Sequence, residues 1–166
     1  MTEKITVSEI LKQMKENWHE AAVPETGVML GLIRLNDIVV ESTTRAIAEY
    51  GLTQAAFEVL VTLRSLPEPQ QLTPTDLYRF ILITSGGMTK VLKQLEMHGL
   101  IERLINKDDQ RSKFVRLTEA GGICAERSME AVSKNDKKIL SQALSPSQIS
   151  QLGNILLHAL NNLESE

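Results

Sequence analysis

Apolar residues recur at helical spacing along most of this chain. Ile10, Leu11, Met14 and Trp18 share one face of a helix predicted from about Thr6 to Glu20. Pro24 and Gly27 read as a break. The pattern resumes over about Val28 to Tyr50 and stops at Gly51, the residue type favoured just past a helix end. Thr53 offers a cap for a helix carrying Phe57, Leu60, Val61 and Leu63 to about Leu66, and PEPQQ follows as a loop. Thr73-Pro74-Thr75-Asp76 then sets a hydroxyl, a proline and an acid in the order of a helix start. That helix, with Leu77, Tyr78, Phe80 and Ile81, is expected to stop near Ile83. Thr84-Ser85-Gly86-Gly87 restarts the chain as a second helix running from Thr84 to His98, with Gly99 as its stop. Its inner face, Met88, Val91, Leu92 and Leu95, has the spacing i, i+3, i+4, i+7. Two helices around so short a turn are the elements of a helix-turn-helix.

Beyond Gly99 the period shortens. LIERLI and FVRL are too short for helices and rich in branched and aromatic residues, so they read as strands. NKDDQRSK, residues 106–113, joins them and is long for a hairpin connection. Leu72 is placed to add a minimal third strand. A helix pair followed by a projecting hairpin is a winged helix-turn-helix. Helical spacing returns with Thr118 as the cap of a helix from about Glu119 to Ala143. Ser145-Pro146-Ser147-Gln148 is a capping-box start for a last helix bearing Ile149, Leu152, Leu156, Ala159, Leu160 and Leu163. This stripe is wider than a small winged domain needs, so it packs on the first long helix or on a second subunit. The expected class is mostly α, a winged helix-turn-helix with N- and C-terminal dimerisation helices. Residues 1–50 are taken as the N-terminal helices, 51–117 as the winged helix-turn-helix domain, and 118–166 as the C-terminal helices.

Composition adds a charge asymmetry to this picture. The chain carries 18 lysines and arginines against 21 acids, a net charge of −3. From Arg79 to Arg116, however, eight cations face four anions. That segment is therefore +4, and the rest of the chain is −7. A regional excess of this kind suits a polyanionic partner for one part of the molecule. No apolar run is long enough for a membrane span, no secretory leader is recognisable, and the single cysteine, Cys124, has no internal disulfide partner. A reducing cytoplasm is the expected setting.

The basic segment holds the candidate chemistry. The second helix of the pair turns Ser85, Gly86, Thr89, Lys90, Lys93 and Gln94 outward. Small residues at a helix N-terminus let its N–H groups approach a phosphate, and lysines one and two turns on can reach phosphates or base edges. A plain amphipathic surface helix would show the same pattern, and the hairpin decides between them. Lys107, Arg111 and Lys113 sit on the one projecting element, where cations can follow the backbone or enter a narrow minor groove. Asp109, two residues from Arg111, is placed to hold its guanidinium in a fixed orientation. The histidines lack metal-ligand spacing, Cys124 reads as an inert thiol, and no catalytic triad, phosphate-cradling glycine loop or cofactor motif is present. No enzyme, metal or cofactor is expected.

The stretch LTPTDLYRFILITSGGMTKVLKQLEMHGLIERLINKDDQRSKFVRLTEAG resembles the core of the MarR family of bacterial transcriptional regulators. Its most specific features are the LE…HGLIER helix exit, the Asp109-x-Arg111 wing and the LTEAG that follows. The match is strongest from Leu72 to Gly121 and extends in helix order from about Val28 to Leu163. The resemblance implies a homodimer whose N- and C-terminal helices form the interface. Two wings would then grip one pseudo-palindromic duplex, with half-sites about one helical turn apart. LTPTDLYRFILITSGGMTK and an extra first helix with Trp18 are similar to the urate-responsive, PecS-like branch. There the resemblance implies an effector pocket: Trp18 and Arg103 match its tryptophan and wing arginine, Glu58 stands for an aspartate, and Val91 replaces an arginine of the recognition helix. A repressor released by a small anionic or aromatic effector is the resulting expectation. A winged-helix module that binds protein rather than DNA is the alternative, and the −7 remainder would suit a basic partner.

Overall fold

The computed structural model describes residues 5–81, 87–105 and 113–165. The chain divides into two compact units, Met1–Ser42 and Thr43–Glu166. In the first, α1 (Val7–Asn17) starts at Thr6, whose hydroxyl accepts from the Glu9 N–H. It ends three residues earlier than expected. Trp18 is the C-cap, with φ −154°, and a 3₁₀ turn, His19–Ala21, follows. Trp18 therefore stands beyond the helix rather than on its apolar face. The long helix α2 (Pro24–Ala48) begins before the expected Val28. Pro24 does not break it but opens it, because a proline in the first turn has no N–H to lose. Gly27 lies inside the helix, where a Cβ would meet Leu11 Cδ1 at 3.7 Å.

The end of α2 delivers Ala46 and Ile47 to the core of the second unit. Helix α3 (Gln54–Arg64) is capped by Thr53 and buries Ala56, Phe57, Val59, Leu60 and Leu63. Strand β1 (Gln71–Leu72) precedes α4 (Pro74–Phe80), whose Thr73 cap accepts from the Asp76 N–H and donates to its carboxylate. Helix α4 stops at Phe80 because Ile81 is already extended, with ψ 122°. Helix α5 (Met88–Met97) leads into β2 (Ile101–Ile105) and β3 (Lys113–Leu117). The three strands form one antiparallel sheet in the order β1-β3-β2, with Leu72 opposite Val115 and Arg103 opposite the same residue on the other side. The short third strand and both hairpin strands are where the sequence puts them.

Helix α6 (Glu119–Ala143) and helix α7 (Pro146–Leu163) complete the unit, and α7 opens with the full capping box of Ser145 and Gln148. One core joins Leu60 and Leu63 of α3, Leu77 of α4, Leu92 and Leu95 of α5, Ile101 and Val115 of the sheet, and Ala125 and Val132 of α6. Each such leucine contributes about 1.5–3 kcal/mol by leaving water. Helix α7 contributes no buried residue. Among the described residues no helix is long and apolar enough to cross a membrane.

Candidate nucleic-acid interface

Helix α5 is amphipathic in the strict sense. Leu92 and Leu95 are buried, Met88 and Val91 pack against the same core, and Thr89, Lys90, Lys93 and Gln94 are exposed. The apolar face is thus satisfied inside the chain and the cationic face is free to meet a partner. The helix starts at Met88, not at Thr84. Gly87 is its N-cap at φ 116°, a left-handed conformation that interrupts any helix running through it. Among the described residues no side chain caps this end, and the Lys90 N–H donates to Gly87 O (2.8 Å). Ser85 and Gly86, expected at the helix start, lie outside the described residues.

At its other end α5 is closed by backbone bonds alone. The Gly99 N–H donates to Glu96 O (3.0 Å) and the Leu100 N–H to Leu95 O (2.9 Å), with Gly99 at φ 68°. This is a Schellman motif, and it aims the chain into β2. Thr118 then ties that exit to α6: its hydroxyl donates to Gly99 O (2.7 Å) and accepts from the Gly121 N–H (3.0 Å), while its N–H donates to Leu100 O (3.2 Å). Gly121 sits against the same carbonyl, where a Cβ would lie 1.9 Å from Leu100 O. The HGL and LTEAG motifs are thus two halves of one joint between the end of α5 and the start of α6.

The hairpin carries an ion pair on each face. Glu102 is opposite Arg116, and their side chains meet at 2.8 Å. Arg103 points to the other face, as strand alternation requires, and its Nε lies 3.2 Å from Glu96 of α5. Lys113 is exposed at the open end of the strand pair, opposite Ile105. Lys107, Asp109 and Arg111 lie outside the described residues. Of the expected cations, Lys90 and Lys93 are exposed on α5 and Lys113 is exposed on the hairpin that follows. Sequence reasoning found Thr118 as a helix cap but not its bonds to Gly99 and Leu100, and it missed Glu96, Glu102, Arg116 and Gly121. Glu102 and Arg116 were within reach, because a hairpin that pairs Ile105 with Lys113 sets them opposite one another.

The three residues assigned to an effector are held differently. Trp18, 63% exposed, belongs to the first unit. Glu58 accepts from Gln54 Nε2 (3.2 Å), and Arg103 is engaged by Glu96. Among the described residues no hydrogen bond or ion pair links Glu58 to Arg103. Cys124 is half-buried, and burial pushes its thiol pKa up, away from the reactive thiolate. No group of three or more His, Cys, Asp or Glu side chains among the described residues could hold a metal ion.

Comparison with known proteins converges on one family. The MarR family profile matches residues 52–113, from the start of α3 to the start of β3. The chain is 26% identical over 165 residues to the HTH-type transcriptional regulator PecS of Dickeya dadantii, covering 98% of this chain and 99% of that one. It is 28% identical over 136 residues to the multiple antibiotic resistance protein MarR of Escherichia coli, covering 80% of this chain and 92% of that one. Among solved structures the fold is shared with Sco3205, a MarR family transcriptional regulator of Streptomyces coelicolor in complex with DNA. That likeness has a TM-score of 0.72 at 22% identity, over 85% of this chain and 92% of that chain.

Proposed function

We infer that this chain, which belongs to the MarR family, is a sequence-specific DNA-binding regulator of transcription that acts as a homodimer. The observation that carries the reading is α5: its apolar side is consumed by the chain's own core, and Thr89, Lys90 and Lys93 are left facing outward. In this reading α5 enters the major groove, with Ser85 and Gly86 ahead of it. The wing cations Lys107, Arg111 and Lys113 follow the backbone, and Asp109 orients Arg111. Residues 1–50 and 118–166 supply the helices that join two copies, and the chain works in the cytoplasm as a regulator rather than as an enzyme. Its relatives' names support this: both curated relatives above are called regulators or resistance proteins rather than catalysts.

Lys93→Ala is the direct test of the helix. Operator affinity is expected to fall by about 1 kcal/mol, and the dependence of log affinity on log salt to flatten by about one unit. Unchanged affinity and slope would remove α5 from the interface. The regulator is further assigned a small anionic or aromatic effector that releases the operator, a reading supported by the match of Trp18 and Arg103 to the urate-responsive pattern. Because Trp18 is the single tryptophan, its emission can be titrated with urate and related purines. Emission that stays constant through saturating purine would rule that class out.

A further inference from the structure

Two elements of the DNA-binding unit must meet a duplex together, the recognition helix and the hairpin, and beside their shared apolar core an ion pair spans them. Arg103, in the middle of β2, reaches Glu96 in the last turn of α5 with its Nε at 3.2 Å from the carboxylate. Arg103 is 26% exposed and Glu96 42%, so the pair is partly shielded from water; the Arg103 Nε makes no hydrogen bond among the described residues, so the contact is an ion pair and not a directed bond. The backbone between them turns through Gly99, a residue chosen for its left-handed conformation and not for stiffness. On the opposite face Glu102 and Arg116 brace β2 against β3 at 2.8 Å. The hairpin is therefore stiff in itself; Leu92 and Leu95 share a core with Ile101 and Val115, and Glu96–Arg103 adds the charged contact between hairpin and α5 outside that core.

We propose that Glu96 is a positioning residue for DNA recognition: through Arg103 it sets the angle at which the wing leaves the recognition helix. The proposal rests on the DNA-binding reading above. It makes a prediction of unusual sign. Glu96 is an anion on the helix assigned to a polyanion, so by electrostatics alone its removal should strengthen binding. As a positioning residue its removal should weaken binding, because the wing would no longer be held in register with α5 and its phosphate contacts would be made less often.

The test is a fluorescence anisotropy titration of wild type and Glu96→Gln, full-length, on the duplex from upstream of the chain's own gene, at several salt concentrations. The expected result is an affinity about tenfold lower for Glu96→Gln, with a shallower salt dependence and an unchanged thermal midpoint. The exchanged pair, Glu96→Arg with Arg103→Glu, is expected to recover most of that loss, which a purely local defect in either residue would not allow. Glu96→Gln binding as tightly as wild type or more tightly, or an exchanged pair no better than Glu96→Gln alone, would overturn the positioning role. Wild type that binds no duplex would instead overturn the DNA reading itself.

Discussion

Helices α5 and α7 are both amphipathic, and they end in opposite states. Helix α5 buries Leu92 and Leu95 in the core of its own chain and shows lysines to the outside. Helix α7, 18 residues long, buries nothing and leaves Leu157 at 61% and Leu163 at 74% exposure. The first helix has spent its apolar face, so what remains to recognise a partner is charge and hydrogen bonding. The second has an apolar face still open to water, and the partner that covers it must be apolar too. Ile155 and Leu160 are exposed on it as well, and exposed apolar surface is what protein association commonly uses. One molecule thus holds a surface suited to nucleic acid and a surface suited to another helix. Helix α5 lies in the segment Arg79–Arg116 that carries +4, whereas α7 holds no Asp, Glu, Lys or Arg.

Substitutions can break this contrast selectively. Gly121→Ala should act most strongly, because its Cβ meets the backbone oxygen of Leu100 and no flexible side chain can yield. A loss of about 3 kcal/mol is expected, with α5 displaced from α6, and urea unfolding checks it. An unchanged midpoint would show that the joint is looser than its geometry. Leu157→Asp should weaken association by about 2 kcal/mol, read by sedimentation velocity as a shift toward monomer. The same protein should keep the fold of its winged unit by circular dichroism, since no residue of α7 enters that core. Persistence of the dimer would move the interface away from α7. The smallest effect belongs to Cys124. Burial raises its thiol pKa, so at neutral pH it should react with a thiol reagent more slowly than a free thiol and speed up only toward alkaline pH. Cys124→Ser should leave operator affinity within experimental error, and a clear loss would give the residue a role that its surroundings do not suggest.

Local chemistry was the legible part of this fold. Thr53, Thr73, Thr118 and Ser145 announce their helices because a cap is a contact between residues three apart. The strands of the hairpin were legible for the same reason, since alternation is a property of neighbours. Errors arose where one residue type serves two purposes. Pro24 can end a helix or begin one, and only its place in the first turn of α2 settles which. Ser and Thr ahead of glycine suggested a cap at Thr84, whereas the positive φ of Gly87 moves the start of α5 to Met88. What was illegible is tertiary: the 1.9 Å approach at Gly121 and the reach of Arg103 to Glu96 join segments whose separation along the chain carries no period. For the interface, Thr89, Lys90, Lys93 and Lys113 were readable because exposure on an amphipathic helix or a hairpin end follows from pattern. The residues that set the geometry were not, because they act through partners.

The central claim, that α5 and its hairpin read DNA, is tested most directly by anisotropy titration of the purified chain on its upstream duplex and on a scrambled duplex of equal length across a salt series. The account expects nanomolar affinity for the first alone, falling steeply as salt rises and counterion release is lost. No binding to either duplex at low salt would contradict it, and would leave the cationic face of α5 to a protein partner.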